Sequence, residues 1–359
     1  MTNIVTRTAA RRMAAALLFC SIATPVLAGN GYWYGNRSHF WNDGILGNSS
    51  NWYTRDGLTP LNPPTDTAIF DRGATIWIAK DTIVKAMLFR YQLAKPTLSI
   101  ESGRTLLITG KGILDKGGYP AEFNLDPEAV LRFRGSARIG PSNRHAPLFH
   151  GSARSKMRFS GRTDGGGAVV ANNCVPGPRC SIFFTDRSSA GRMTITNGWL
   201  SATTFLGSST GGDATITTNE GGQLEFDSRG PDGTGPTVGK IYMAGATLKE
   251  FKPPRMTLTG NLKVLRLLDL HLKGYERGGV LVMRMKSRID VVKHAHLGGM
   301  LQIVSSKPLL KKKYILIKAD SMTGSMTGAF DKVRFIGSAF NNRKPRINYN
   351  GTEVALLLD

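Results

Sequence analysis

Short runs in which apolar and polar residues alternate recur along most of the chain, separated by glycine, serine, asparagine and aspartate. A period of two is the pattern of a strand with one buried face, and the separating residues are turn formers. Clear examples are 193–196 (MTIT), 214–217 (ATIT) and 223–226 (QLEF). They belong to a repeat: Phe184, Phe205 and Phe226 recur at a spacing of 21, and Ile195 and Ile216 keep the same interval. Between the phenylalanines, Ser188-Ser189-Ala190-Gly191 aligns with Ser209-Thr210-Gly211-Gly212. A unit made only of short strands and turns cannot bury its apolar side chains alone, so it must stack on copies of itself. The pattern predicts an all-β fold, a right-handed parallel β-helix (a β-solenoid) with about 21 residues per rung. The phenylalanines are expected to stack as one inward ladder and the isoleucines as another, each rung adding about 4.8 Å of length.

Looser versions of the pattern extend both ways, at 97–113 (TLSIESGRTLLITGKGI), 129–139 (AVLRFRGSARI), 246–251 (ATLKEF) and 256–274 (MTLTGNLKVLRLLDLHLKG). These runs, with NSSNWYTRDGLTPLNPPTDTAIFD at 48–71, resemble the passenger regions of bacterial autotransporters. So does 278–335, above all SRIDVVKHAHLGGMLQI followed by KKKYILIKADSMTGSMTGAF. The positions that carry this similarity are Asp290, Leu297, Gly298, Gly299, Leu301, Tyr314, Gly328 and Phe330. The resemblance implies a pertactin-like β-helix whose last segment caps the stack and assists folding as an autochaperone. It divides the chain into a signal (1–28), an aromatic N-terminal cap (29–75), the β-helix (76–277) and the passenger-type cap (278–359). No array of alternating ten-residue membrane strands follows the cap, so the expected protein lacks the family's translocator barrel. A separate outer-membrane translocator is then the implied export partner, and the protein is periplasmic, on the cell surface or secreted, in a Gram-negative bacterium. A passenger that has lost its translocator is an alternative.

Residues 1–28 read independently as a cleaved secretory signal: Arg7, Arg11 and Arg12 precede an apolar segment, 13–26, too short to span a bilayer, and Ala28 ends it. Cleavage lowers the formal charge from +22 to +19 and leaves no transmembrane segment. Of three cysteines, Cys20 lies in the signal, leaving Cys174 and Cys180 with two prolines and a glycine between them. In an exported protein such a pair reads as a disulfide closing a small loop, contributing roughly 2 kcal/mol.

The sequence offers no catalytic constellation. Glycosidase chemistry needs two carboxylates a fixed distance apart, and the typical Asp-Asp, Asn-x-Asp and Gly-His-Gly signatures are missing. The densest acidic stretch (Asp213, Glu220, Glu225, Asp227, Asp232) sits among turn residues and reads as solvated loops. Phe226-Asp227-Ser228-Arg229-Gly230 is not a serine-protease nucleophile turn, and no phosphate loop with Gly-Lys-Ser/Thr occurs. His294 and His296 share a strand face, but with no third ligand close in sequence they read as outward imidazoles rather than a metal site. No metal and no cofactor are expected. The early aromatics (Tyr32, Trp33, Tyr34, Phe40, Trp41, Trp52) read as a cover for the first rung, with a sugar-binding surface as the alternative.

Charge is distributed unevenly. Residues 251–359 hold 20 Lys+Arg against 7 Asp+Glu, with the densest clusters at Lys311, Lys312 and Lys313 and at Arg343, Lys344 and Arg346. A concentrated positive field attracts polyanions. Export makes nucleic acid an unexpected physiological partner, leaving anionic polysaccharide, lipopolysaccharide or anionic lipid headgroups. The same cations also solubilise strand faces and guard a sheet edge. The expected function is that of a noncatalytic, adhesin-like exported binder, with a polysaccharide-degrading β-helix enzyme as the alternative.

Overall fold

In a computed structural model, the described residues are 29–359 without 36–37, 44–49, 91–93, 141–145, 175–177, 234, 246–252, 260–261, 263, 273–277, 321–323 and 342. The predicted signal at 1–28 and the strand predicted at 246–251 therefore fall wholly or mostly outside the described residues.

The chain is a parallel β-solenoid. Among the described residues it forms one sheet of 16 strands and one of 14, and successive coils contribute to each in turn. Among the described residues the single helical element is a three-residue 3-10 turn, Ser338–Phe340. No helix there is long and apolar enough to cross a membrane.

Strand alternation produces the core. In Gln223–Ser228, Leu224, Phe226 and Ser228 are buried, while Gln223, Glu225 and Asp227 remain partly open. Parallel pairing puts Phe184 against Phe205 and Phe205 against Phe226. Their rings stack with centroids 4.8 and 5.0 Å apart and planes 8° and 6° apart. Phe133 and Phe159 extend this ladder, the two contacts from Phe133 to Phe184 measuring 4.7 and 4.8 Å. Offset stacking at this separation adds about 0.5–1.5 kcal/mol per pair to the gain from burial. In the second sheet Ile195 pairs with Ile216, and Ile216 with Ile241. At a corner, buried Asn172 donates to Asn197 Oδ1 at 3.3 Å, and Thr203 donates to the same oxygen at 2.8 Å. A desolvated amide ladder is tolerated here because its oxygens and N–H groups find partners.

The 21-residue interval holds from Ile182 through Thr203 to Leu224, whereas the preceding coils, Leu131 to Met157 and Met157 to Ile182, are longer, at 26 and 25 residues. Extra residues enter the turns, so the strands stay in register. Turn glycines make close stacking possible. Gly166 has φ +59°, and a Cβ there would lie 1.5 Å from the Ile139 carbonyl oxygen.

Parallel pairing begins before residue 76, with Gly31–Trp33 on Thr67–Phe70. It continues past 277, through Val280–Arg284 and Met300–Val304 to Lys332–Ile336. Antiparallel strands close each end: Trp52–Tyr53 and Pro60–Leu61 at the first, Glu353–Leu358 and Pro345–Asn350 at the last. At the first end Trp33, Trp41 and Trp52 are buried with Phe70, the Trp41–Trp52 centroids 4.7 Å apart. The Trp52 indole N–H donates to the Trp41 carbonyl at 2.9 Å. These three indoles lie inside the core and leave no free face for a sugar.

Candidate polyanion-binding site

The two basic clusters, about thirty residues apart in sequence, meet at one corner of the fold. The strand Lys313–Ala319 and the strand Pro345–Asn350 both pair antiparallel with Glu353–Leu358, one on each side. They therefore run in the same direction and start at the same end. Leu357 is the shared partner: Lys313 lies opposite it on one side and Arg346 on the other. Lys311 and Lys312 immediately precede the first strand, and Arg343 and Lys344 the second.

Backbone contacts fix the approach to both strands. The Leu358 amide donates to the Lys312 carbonyl at 2.9 Å, and the Lys311 amide donates to the Tyr314 hydroxyl at 2.9 Å. On the other side the Arg343 amide donates to the Phe340 carbonyl at 3.2 Å, while Phe340 packs on Phe335. The clusters are thus tied to structured backbone although their side chains are exposed.

Two of the six cations have partners. Lys313 Nζ is 3.0 Å from Glu353 and Arg346 is 3.6 Å from Asp359. Lys311, Lys312, Arg343 and Lys344 make no ion pair among the described residues. Surface pairs of this kind contribute little, about 0–1 kcal/mol, so the corner keeps a strong positive excess.

Close by, a cavity of about 300 Å³ opens on the same sheet, lined by Arg266, Arg288, Asp290, Lys318 and Asp320 with apolar residues of the same strands. The Arg288 guanidinium donates to both Asp290 carboxylate oxygens, at 2.7 and 2.8 Å. The sequence reading missed these lining residues as a group. Arg266 pairs with Asp290 and Asp290 with Lys318, so coil length alone brings them together.

The His294–His296 pair acquires company that sequence distance concealed. His271, on the neighbouring coil, stacks between Tyr242 and His296 with centroids 4.6 Å from each. Asp269 accepts from the His294 amide at 3.3 Å and pairs with Lys240 at 3.6 Å. Ser325 and Thr327 hydroxyls contact Nδ1 of His294 and His296 at 2.9 and 2.8 Å. Burial, and then the neighbouring His296, push the His271 imidazole below its ordinary value of 6.5. Among the described residues no group of three or more His, Cys, Asp or Glu is arranged to hold a metal ion.

Of the acidic stretch, Glu225 and Asp227 lie on the outward face of one strand, and Thr259 donates its hydroxyl to Asp227. Asp213 and Asp232 are exposed. The structure joins Cys174 to Cys180, Cα atoms 5.8 Å apart. Comparison of the chain with family models, curated proteins and solved structures gives no match.

Proposed function

We propose that this is an exported, noncatalytic, autotransporter-passenger-like protein of the periplasm or cell surface, which binds anionic glycans or anionic lipid headgroups through its C-terminal corner. The observation that carries this reading is the convergence of Lys311, Lys312 and Lys313 with Arg343, Lys344 and Arg346 across Glu353–Leu358. Exposed like charges repel one another, so six cations gathered at one corner cost stability unless an anion meets them. Guarding an edge needs fewer: the Lys332–Ile336 edge strand carries only Lys332 and Arg334.

The test is retention on heparin–agarose and binding to lipopolysaccharide and to phosphatidylglycerol vesicles, each across a salt series. The expected result is binding that weakens with salt and falls about tenfold or more in the Lys311→Ala/Lys312→Ala/Arg343→Ala/Lys344→Ala variant, with folded stability equal to or above that of the parent. Retention that is unchanged in that variant contradicts the assignment.

A further inference from the structure

The corner and the cavity belong to one face of one sheet. Lys313, Ile315 and Lys318 pair with Leu357, Ala355 and Glu353, which are alternate residues of a single strand. Alternate residues point the same way, so Lys313 and Lys318 share a face. A register shift between Ile315 and Ile317 is what keeps both on it. On the far side of the same strand Leu357, Ala355 and Glu353 pair with Arg346, Asn348 and Asn350. Inward from Lys318, the row continues through Asp290 to Arg266. The result is two charged stations at either end of one strand, with Ile315, Ala355 and Asn348 between them and the Lys313–Glu353 ion pair reaching across that stretch. Five residues of strand place the stations roughly 15 Å apart.

Resting on the binding role proposed above, we infer that this face is a track for an extended acidic polysaccharide, held at the corner by the lysine and arginine clusters and at the cavity by Lys318 beside the Arg288–Asp290 pair. The contents of the cavity favour a sugar over a bare phosphate or a headgroup. Its carboxylates, Asp290 and Asp320, repel an isolated anion but accept from sugar hydroxyls, while Lys318 and the arginines meet an anionic substituent. Lys318 is exposed and makes no ion pair among the described residues. A concave site lined this way admits one unit of a chain, and the stretch beyond it, where the Lys313–Glu353 pair leaves no net charge, lets the chain run on to the corner.

Linking two weak stations through one polymer raises affinity without any new contact. The test is calorimetric titration with heparin-derived oligosaccharides from disaccharide to decasaccharide, with phosphatidylglycerol vesicles as a second arm. The decasaccharide is expected to bind at least about tenfold more tightly than the disaccharide, and Lys318→Ala to abolish most of that gain, bringing the two ligands close to one affinity. A length gain that survives Lys318→Ala overturns the track, as does affinity independent of length. Vesicles binding more tightly than the decasaccharide overturn it in favour of a membrane surface. Failure of every ligand to bind overturns the proposed function itself, and the track with it.

Discussion

The two ends of the solenoid solve the same problem with opposite materials. A stack of parallel strands exposes unpaired backbone and apolar rings at its first and last coils. At the first end the chain covers them with indoles: Trp33, Trp41 and Trp52 are buried against Phe70, and the Trp41–Trp77 backbone contact of 2.8 Å occupies the edge of Thr75–Ile78. At the last end it covers them with an antiparallel pair whose outer strand, Pro345–Asn350, is largely exposed and begins in a basic cluster. Closure alone accounts for the first arrangement. The second carries charge beyond what closure requires, and that excess is the basis of the proposed binding role.

Removing an indole has the largest expected effect. Trp52→Ala is expected to lower unfolding stability by about 3–5 kcal/mol, whereas Lys312→Ala should change it by less than about 0.5 kcal/mol; urea titrations of both variants check this. A comparable loss at Lys312 would mean that the basic end is structural.

Next in size is the turn shared by both sheets near the basic end. Gly299 has φ +69°, and a Cβ there would lie 2.2 Å from the Gly279 carbonyl oxygen, while its amide donates to Asp331 at 2.7 Å. Gly299→Ala is expected to cost about 2 kcal/mol or more, visible as a lower thermal midpoint.

The smallest effect concerns His271, faced by Tyr242, His296, His294, Asp269 and Lys240. Its folded-state proton affinity is depressed, so as pH falls below about 6.5 the unfolded chain takes up the proton first. Stability is therefore present above that pH and declines as pH drops through the depressed value. His271→Gln should flatten this slope in thermal melts between neutral and mildly acidic pH, and a slope unchanged by the substitution would place its origin elsewhere.

What the sequence discloses follows from coil length. Phe184, Phe205 and Phe226 announce the ladder because their coils are equal, whereas Phe133 and Phe159 belong to the same column but hide behind turns longer by four or five residues. The basic clusters are visible as runs, yet their meeting depends on a strand that arrives later in the chain and runs antiparallel between them. Arg266 and Lys318 carry no local signal, and Asp290 stands out only as a position of the passenger resemblance, since each is an ordinary outward strand position until register aligns them. His271 was missed for the same reason.

Amide hydrogen exchange with and without a bound acidic decasaccharide tests the division of labour between the ends most directly. Slowed exchange is expected in 311–319 and 343–350, with no change in 29–78. Protection centred on the tryptophan end, or none at the basic corner despite saturation, would contradict it.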